Sequence, residues 1–240
     1  MIPGLILVKS LLDVRSQTEV TDAIESGRWN TELKRRVQHF GYRYDYLVRC
    51  IAPTAETPPI PEWGNRLIRQ IQALGITMQE FDQMIVNEYL PGQGIAPHVD
   101  RISCFGNEIV SVSLGSPCVM KFSNRLRGKT VDVLLEPGDL LLIKDEARYR
   151  WHHEIRPRKS DKWNGQTIKR GRRFSVTFRK GLLTMPGKIK LIPPTNAENK
   201  KINRATGADP ENPEWTKEDF FHSPHTKRRF KGGEDSADLK

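Results

Sequence analysis

The segment between residues 84 and 179 consists of short runs of β-branched and apolar residues that alternate with turn residues. Seven runs stand out, at residues 84–89, 109–114, 118–122, 131–135, 139–143, 151–155 and 174–178. Pairs such as Pro91-Gly92 and Pro137-Gly138 separate them and indicate turns. Many short strands at this spacing are typical of an all-β sandwich or barrel, of which the two-sheet jelly roll is one type. The segment therefore predicts a jelly-roll core over residues 81–184.

Residues 1–80 predict an extension that flanks this core. Residues 5–8 are strand-like, residues 19–26 favour a helix, and apolar residues recur at helical spacing within residues 63–74. From residue 185 onward the chain is polar, and we expect residues 185–240 to form a largely flexible tail. The sequence thus predicts a mainly β protein with flanking helices (α+β), with one folded domain over residues 1–184.

Hydropathy and cysteine usage narrow the class of protein. The longest apolar runs fall far short of the roughly 20 residues that a membrane-spanning helix needs. The first residues lack the basic region and cleavage site of a signal peptide. Cys50, Cys104 and Cys118 have no C-x-x-C spacing and are odd in number, which argues against a disulfide framework and a thiolate zinc site. We therefore expect an intracellular monomer, cytoplasmic or nuclear or both, without a membrane partner.

The charge of the chain indicates an anionic partner. The net charge is +10, and most of the excess lies within residues 1–184. Nucleic acid is the leading candidate for such a partner.

Residues 34–46 mix cations with aromatic rings that can stack on a base, although alternate tyrosines of a buried strand would give the same pattern. Residues 156–173 hold eight Lys and Arg against one acid, Asp161. This segment predicts either a mobile loop near the opening of a functional site or a basic loop that is merely solvated.

A short H-x-D sequence, His98-Val99-Asp100, is a candidate metal site. In extended backbone the two side chains point to the same side, so one strand end can supply two ligands. Of the six histidines, His152 and His153 are the remaining candidates for a third ligand from a distant strand. Two imidazoles and one carboxylate on one face of Fe(II) leave three positions open, as oxygen activation with an oxo-acid co-substrate requires. The alternative is a surface His and Asp near a turn.

Two arginines six residues apart, Arg173 and Arg179, fall within a predicted strand. Even spacing in a strand places them on the same face. Inward-facing charge is costly unless it is paired, and a dicarboxylate co-substrate would supply the partner that the planar guanidinium suits. The alternative is an edge strand with two solvated arginines.

Residues 87–100, 148–153 and 173–179 together resemble the AlkB family of Fe(II)/2-oxoglutarate dioxygenases. The likeness rests on an N-x-Y-x-x-G lead-in, H-x-D, W-x-H and R-x5-R in the family's order, and it covers roughly residues 1–184. It implies a double-stranded β-helix (jelly-roll) fold, with Fe(II) as metal and 2-oxoglutarate and O2 as co-substrates.

The resemblance also implies roles for individual residues. His98, Asp100 and His153 would bind iron, and W-x-H favours His153 over His152. The co-substrate would be held by four side chains. Asn87 and Tyr89 would hydrogen-bond 2-oxoglutarate, Arg173 would pair with its distal carboxylate, and Arg179 would lie near the carboxylate at the iron end. It implies no catalytic side chain beyond the metal ligands.

Within this family the chain is most similar to the tRNA wobble-uridine hydroxylases, through residues 34–44, 91–98, 113–116 and 153–159. In the family the region of residues 34–46 acts as a nucleotide-recognition lid. This implies five candidate substrate-binding residues, namely Arg35, Arg36, Tyr42, Arg43 and Tyr44. Glu154 departs from the family pattern, in which Gly is more usual after the third ligand. The animal hydroxylases also carry an RNA-recognition and a methyltransferase domain, which we do not expect here.

The expected function is oxidation of a base or its modification, with tRNA or other RNA favoured over DNA as the partner. The net reaction would be hydroxylation of a tRNA wobble uridine or oxidative demethylation of alkylated RNA or DNA. Two alternatives stay open at this point. One is the same chemistry on a protein side chain or a lipid, and the other is a nucleic-acid-binding module with an inactive site.

Overall fold

The computed structural model describes residues 2–31, 35–45, 50–52, 57–124 and 126–182. The predicted tail, residues 185–240, lies outside them. Three helices are present in this part of the chain: α1 (Val14–Glu25), α2 (Glu62–Ala73) and α3 (Asp145–Arg150). The strands are β1 (Leu5–Val8), β2 (Val37–Phe40), β3 (Arg43–Asp45), β4 (Cys50–Ala52), β5 (Gln83–Tyr89), β6 (Ile95–His98), β7 (Phe105–Gly115), β8 (Cys118–Asn124), β9 (Lys129–Leu135), β10 (Leu140–Ile143), β11 (His152–Ile155), β12 (Ser160–Trp163), β13 (Gln166–Lys169) and β14 (Arg173–Gly181).

The larger sheet has six antiparallel strands in the order β1-β10-β7-β14-β5-β2. Apolar and polar residues alternate along its central strands. Because successive side chains of a strand point to opposite faces, one face of the sheet is apolar and the other is polar. Val112 and Val176 are opposite each other in the register and belong to an apolar core that also includes Ile24 of α1 and Ile71 of α2. This face is therefore covered by the helices. The other face, called the inner face below, carries polar residues such as Ser175 instead.

The smaller sheet has four strands in the order β6-β11-β8-β9. Apolar residues of this sheet, such as Phe122 and Leu135, join a second buried core with Ile109 and Leu141 from the larger sheet. The two sheets therefore pack face to face, with the inner face of the larger sheet toward the smaller one. This architecture confirms the predicted jelly roll with flanking helices.

The helices begin where local capping chemistry allows it. The Asp13 side chain accepts a 2.8 Å hydrogen bond from the backbone N–H of Ser16, which is a typical helix N-cap. Helix α1 therefore begins at Val14, earlier than the predicted residue 19, because the prediction used apolar spacing and overlooked the cap. Helix α2 agrees with its prediction to within one residue at each end. Within the described residues no helix is long and apolar enough to cross a membrane.

Residues 156–173, predicted to form a mobile or solvated loop, contain an antiparallel hairpin of β12 and β13 that the sequence analysis did not predict. Asn164 and Gly165 both have positive φ, 48° and 78°, which is the conformation of a two-residue type I′ hairpin turn. Asp161 fixes the hairpin: it is fully buried and accepts hydrogen bonds from Arg158 and Arg170. It also accepts a 3.0 Å bond from the backbone N–H of Val119 in β8.

Candidate active site

The register of two strands brings the predicted metal ligands together. His98 ends β6 and lies directly opposite His153 of β11, with ring centroids 4.3 Å apart. Asp100 follows two residues later, and its Oδ1 is 3.5 Å from Nε2 of His98. One ligand atom from each of the three residues lies within 4.8 Å of the others. His152 neighbours His153 in β11, so strand alternation directs it to the opposite face.

The hydrogen bonding of His98 leaves one ring nitrogen for a metal. Nδ1 lies 2.8 Å from the carbonyl oxygen of Ala96. A carbonyl can only accept, so Nδ1 carries the proton and Nε2 keeps its lone pair in the neutral ring. Nε2 is also the nitrogen that faces Asp100. A backbone carbonyl that bonds the other ring nitrogen and fixes the tautomer in this way is typical of metal-binding histidines.

Asp100 is buried and is held in its ionised form. Burial alone would raise the pKa of its carboxyl, but the Arg179 guanidinium holds it well below its usual range. Nε of Arg179 donates a 3.0 Å bond to Oδ2. This leaves Oδ1 directed toward the two imidazoles. Arg179 therefore lies at the metal end of the site.

His153 is neutral at physiological pH. Burial and the neighbouring His98 lower the pKa of His153 to about 3. A neutral imidazole offers a lone pair, whereas an imidazolium does not. Two imidazoles and one carboxylate, supplied by β6, the residues directly after it and β11 of the smaller sheet, form the donor set that suits non-haem Fe(II). The residues present therefore fit this metal.

Arg148 was not among the predicted site residues, although it supports one of them. It is almost fully buried and donates a 2.6 Å hydrogen bond from Nη1 to the backbone carbonyl of Asp100. Further bonds reach the carbonyls of Phe105 and Gly106. One guanidinium in α3 thus holds the backbone that carries the carboxylate ligand. No sequence signal identified this role, because the partners are backbone atoms more than 40 residues away.

Arg173 provides unused hydrogen-bond donors on the same inner face. It lies opposite Tyr89 on one side and Gly115 on the other, and only 2% of its surface is exposed. Nη2 donates to Oγ of Ser113 at 2.9 Å. Nε and Nη1 are buried and have no partner among the described residues. A buried guanidinium with free N–H groups is costly, and a bound carboxylate would satisfy it.

The structure places Asn87 and Tyr89 beside Arg173. Both are buried on β5, on the same inner face. Oδ1 of Asn87 accepts a 3.1 Å bond from Nε of Arg35. The guanidinium carbons of Arg35 and Arg173 lie 6.0 Å and 5.7 Å from the centre of the Tyr89 ring. Arg35, predicted to bind substrate, therefore lies among the residues predicted to hold the co-substrate.

Of the other predicted substrate-binding residues, the structure describes the side chains of Arg36 and Tyr42. Arg36 points to the opposite face of the sheet, where it makes two hydrogen bonds with the buried Glu88 and stacks on Trp29. Tyr42 is half-buried and packs against the second core. Their roles in substrate binding stay predictions. The side chains of the remaining two, Arg43 and Tyr44, lie outside the described part of the chain.

A comparison with models of protein families gives one match, and it covers most of the chain. Residues 13–179 match the model of the 2OG-Fe(II) oxygenase superfamily. The matched range includes all three candidate metal ligands and both inner-face arginines.

Relatives with AlkB-related names are identical to the chain at about a third of the aligned positions. An Arabidopsis thaliana protein named "Alkylated DNA repair protein ALKBH8 homolog" is 33% identical over 75% of this chain and 58% of its own length. The Mus musculus protein named "tRNA (carboxymethyluridine(34)-5-O)-methyltransferase ALKBH8" is 35% identical over 74% of this chain and 30% of its own. A protein of Acanthamoeba polyphaga mimivirus is 35% identical over 73% of this chain and 84% of its own. The chain thus spans between about a third and four fifths of these relatives.

A solved structure shows the same fold. The structure titled "The structure of OsALKBH1" superposes with a TM-score of 0.59, covering 75% of this chain and 99% of the other, at 22% sequence identity. At this identity the likeness shows the fold alone. The predicted resemblance to AlkB-like dioxygenases is confirmed by the family match and the named relatives.

Proposed function

Because this chain belongs to the 2OG-Fe(II) oxygenase superfamily, as an AlkB-like dioxygenase, we propose that it oxidises a base or a base modification in RNA. Fe(II), 2-oxoglutarate and O2 are its metal and co-substrates. The two net reactions within this proposal are hydroxylation of a modified tRNA uridine and oxidative removal of an N-methyl group.

The chain's own side chains have separate tasks in this chemistry. With Fe(II) and 2-oxoglutarate bound, the site supplies oxidation of a substrate C–H bond by O2, coupled to conversion of 2-oxoglutarate to succinate and CO2. His98, Asp100 and His153 would hold the metal. Arg179 keeps Asp100 ionised, and Arg173 would pair with the distal carboxylate of the co-substrate. Phe105 and Phe122 of the second core lie beside Arg179 and His153, which limits the access of water to them.

The observation that carries the proposal is that Arg173 and Arg179 both lie on the inner face of β14. Arg179 reaches the metal cluster through Asp100, and Arg173 on the same face has two buried N–H groups without a partner among the described residues. Side chains suited to a metal and side chains suited to an anion, joined through one face of β14, support this proposal. For RNA as substrate, the support is the basic net charge of +10 and the tRNA named in the mouse relative's title.

Mass spectrometry of nucleosides tests both parts of the proposal. We would incubate the anaerobically loaded Fe(II) protein with tRNA, other RNA and methylated DNA, add 2-oxoglutarate and O2, and digest the products. Hydroxylation adds one oxygen atom to a nucleoside, whereas demethylation removes a methyl group and releases formaldehyde. His98→Ala is the control, and it should form succinate more than about 100-fold more slowly because a metal ligand is lost. Wild-type succinate formation in His98→Ala would refute the oxygenase site. Unchanged nucleosides, with an oxidised protein or lipid instead, would refute the substrate.

A further inference from the structure

The hairpin that follows the third metal ligand presents cations that folding does not use. We call residues 156–172 the basic hairpin; it contains β12 and β13. The only acid in it, Asp161, is fully buried and bonded to Arg158 and Arg170. These bonds outweigh the effect of burial and lower the pKa of Asp161. The single negative charge of Asp161 is therefore shared by the two arginines that stabilise the hairpin, and it does not offset the charge of the other cations.

The remaining cations of the basic hairpin face solvent. The register pairs Ser160 with Lys169 and Lys162 with Thr167, so Lys162 and Lys169 share one face. Lys159, Lys162 and Lys169 are all exposed, and none has an ion-pair partner in the described part of the chain. Lys162 donates only to the hydroxyl of Thr167. The other face packs against β8 through Asp161. The lysines therefore form a cationic surface that is open to a ligand.

The base of the basic hairpin is attached to the strands that carry the ligands. Arg170 donates to the carbonyl of Arg156, which closes the base at 2.7 Å. The backbone N–H of Gly92 donates to the carbonyl of Arg158, and Gly94 lies so close to Ile155 that a Cβ there would be 2.1 Å from its carbonyl oxygen. Gly94 immediately precedes β6, which ends at His98. The cationic surface is thus fixed next to the β6–β11 pair that holds both histidines.

We propose that the exposed lysines of the basic hairpin, Lys162 and Lys169 on one face and Lys159 at its base, bind the phosphate backbone of the RNA strand that delivers the target base. This inference rests on the proposed function. Phosphates are spaced regularly along a strand and carry no sequence information, so flexible lysines on a rigid two-stranded platform suit them. The rigid base, stabilised by Asp161, would set the position of the strand relative to the metal site.

Two variants with equal charge change test the surface. The hairpin variant combines Lys159→Gln, Lys162→Gln and Lys169→Gln. The control combines Arg15→Gln, Arg66→Gln and Arg69→Gln, which are exposed on α1 and α2 behind the larger sheet. Binding of a labelled single-stranded RNA oligonucleotide would be followed by fluorescence anisotropy over a range of salt concentrations. Thermal midpoints and 2-oxoglutarate binding by the Fe(II) protein would verify that both variants are folded.

The expected result is a loss of affinity and of salt dependence in the hairpin variant alone. Each lost phosphate contact on a single strand reduces the slope of log K against log salt by about 0.7, so three contacts reduce it by about 2. The affinity at low salt should fall by about tenfold or more, equally for different RNA sequences.

Two results would overturn the inference in distinguishable ways. If wild type binds and oxidises RNA but the two variants bind alike, the surface is wrong and the proposed function stands. If wild type binds no RNA at low salt, or binds acidic lipid vesicles or protein instead, the proposed function fails and the surface fails with it.

Discussion

Replacing Arg35 tests whether the N-terminal region helps to position the co-substrate. Nε of Arg35 donates to Oδ1 of Asn87 at 3.1 Å. Because a guanidinium can only donate, the carboxamide must turn its oxygen toward Arg35 and its Nδ2 away from it. Nδ2 is then available to donate to an oxygen of 2-oxoglutarate, which is the role that the family resemblance gives to Asn87. Without Arg35 the carboxamide would be free to rotate.

The size of the effect follows from the kind of hydrogen bond. A bond from a charged donor contributes about 1.5–3 kcal/mol, and only part of this is transferred to the neighbouring ligand. We expect Arg35→Met to weaken 2-oxoglutarate binding by about 1.4 kcal/mol, or about tenfold. The KM for 2-oxoglutarate should rise accordingly, while kcat at saturating 2-oxoglutarate should fall much less. Arg35→Lys keeps a charged donor and should restore part of the affinity.

The assay is a titration of the anaerobic Fe(II) protein with 2-oxoglutarate, followed by the visible absorption band of the complex. Arg36→Met is the matched control, since Arg36 is the next residue and bonds to Glu88 on the opposite face. It should lower the thermal midpoint, because buried Glu88 loses a partner, and leave the 2-oxoglutarate affinity of the folded protein unchanged.

A double-mutant cycle of Arg35→Met with Asn87→Ala would then isolate the coupling. We expect a coupling of about 1 kcal/mol, because each substitution alone removes the same contact. Wild-type 2-oxoglutarate affinity in Arg35→Met, or strictly additive effects in the cycle, would refute the reasoning.

Three further substitutions have distinct expected outcomes. Arg173→Met removes the guanidinium with the unused N–H groups, so the 2-oxoglutarate Kd should rise by about 30–100-fold in the same titration, while iron content stays that of wild type. Gly94→Ala places a Cβ 2.1 Å from the carbonyl oxygen of Ile155, which should separate β6 from β11. Iron affinity should then fall by at least about tenfold in a chelator competition, and wild-type affinity would contradict this. Asp161→Asn should cost about 3–5 kcal/mol in urea unfolding at neutral pH. The pKa of Asp161 is lowered in the folded protein, so its contribution is present above the unfolded pKa of about 4 and is lost as the pH falls. The difference from wild type should therefore shrink in acid, and a difference independent of pH would contradict the assignment.

The sequence predicted the strands that bury one apolar face, and it missed those that do not. Runs such as 174–178 alternate because one face packs against helices, and β14 extends this run at both ends. The short strand β6 contains Pro97 and follows two glycines, and Ile95 is its only residue that favours a strand. It is held by pairing with β11 instead. The hairpin β12–β13 is mostly polar and lacks a run of apolar residues, although Asn164-Gly165 was a usable turn signal.

The site could be predicted where spacing along one strand determines it. Arg173 and Arg179 are related by even spacing, and the structure keeps both on one side of β14. Asp100 lies two residues beyond His98, the last residue of β6, and its carboxylate still approaches the imidazole of His98. Arg35 and Arg36 could not be separated in this way, because both belong to one basic run. Only the pairing of this segment with β5 shows that Arg35 faces Asn87 inside and Arg36 faces Glu88 outside.

The burial of Glu88 has a practical consequence for handling the enzyme. Its side chain is 3% exposed and binds both Arg36 and Arg172, so dissolved ions screen these pairs little. The lysines of the basic hairpin are open to solvent, and their attraction for an anionic strand falls steeply with ionic strength. Moderate salt should thus release bound polynucleotide during purification, while the residues around Asn87 keep their arrangement. The resulting protein would be free of nucleic acid and still able to bind 2-oxoglutarate.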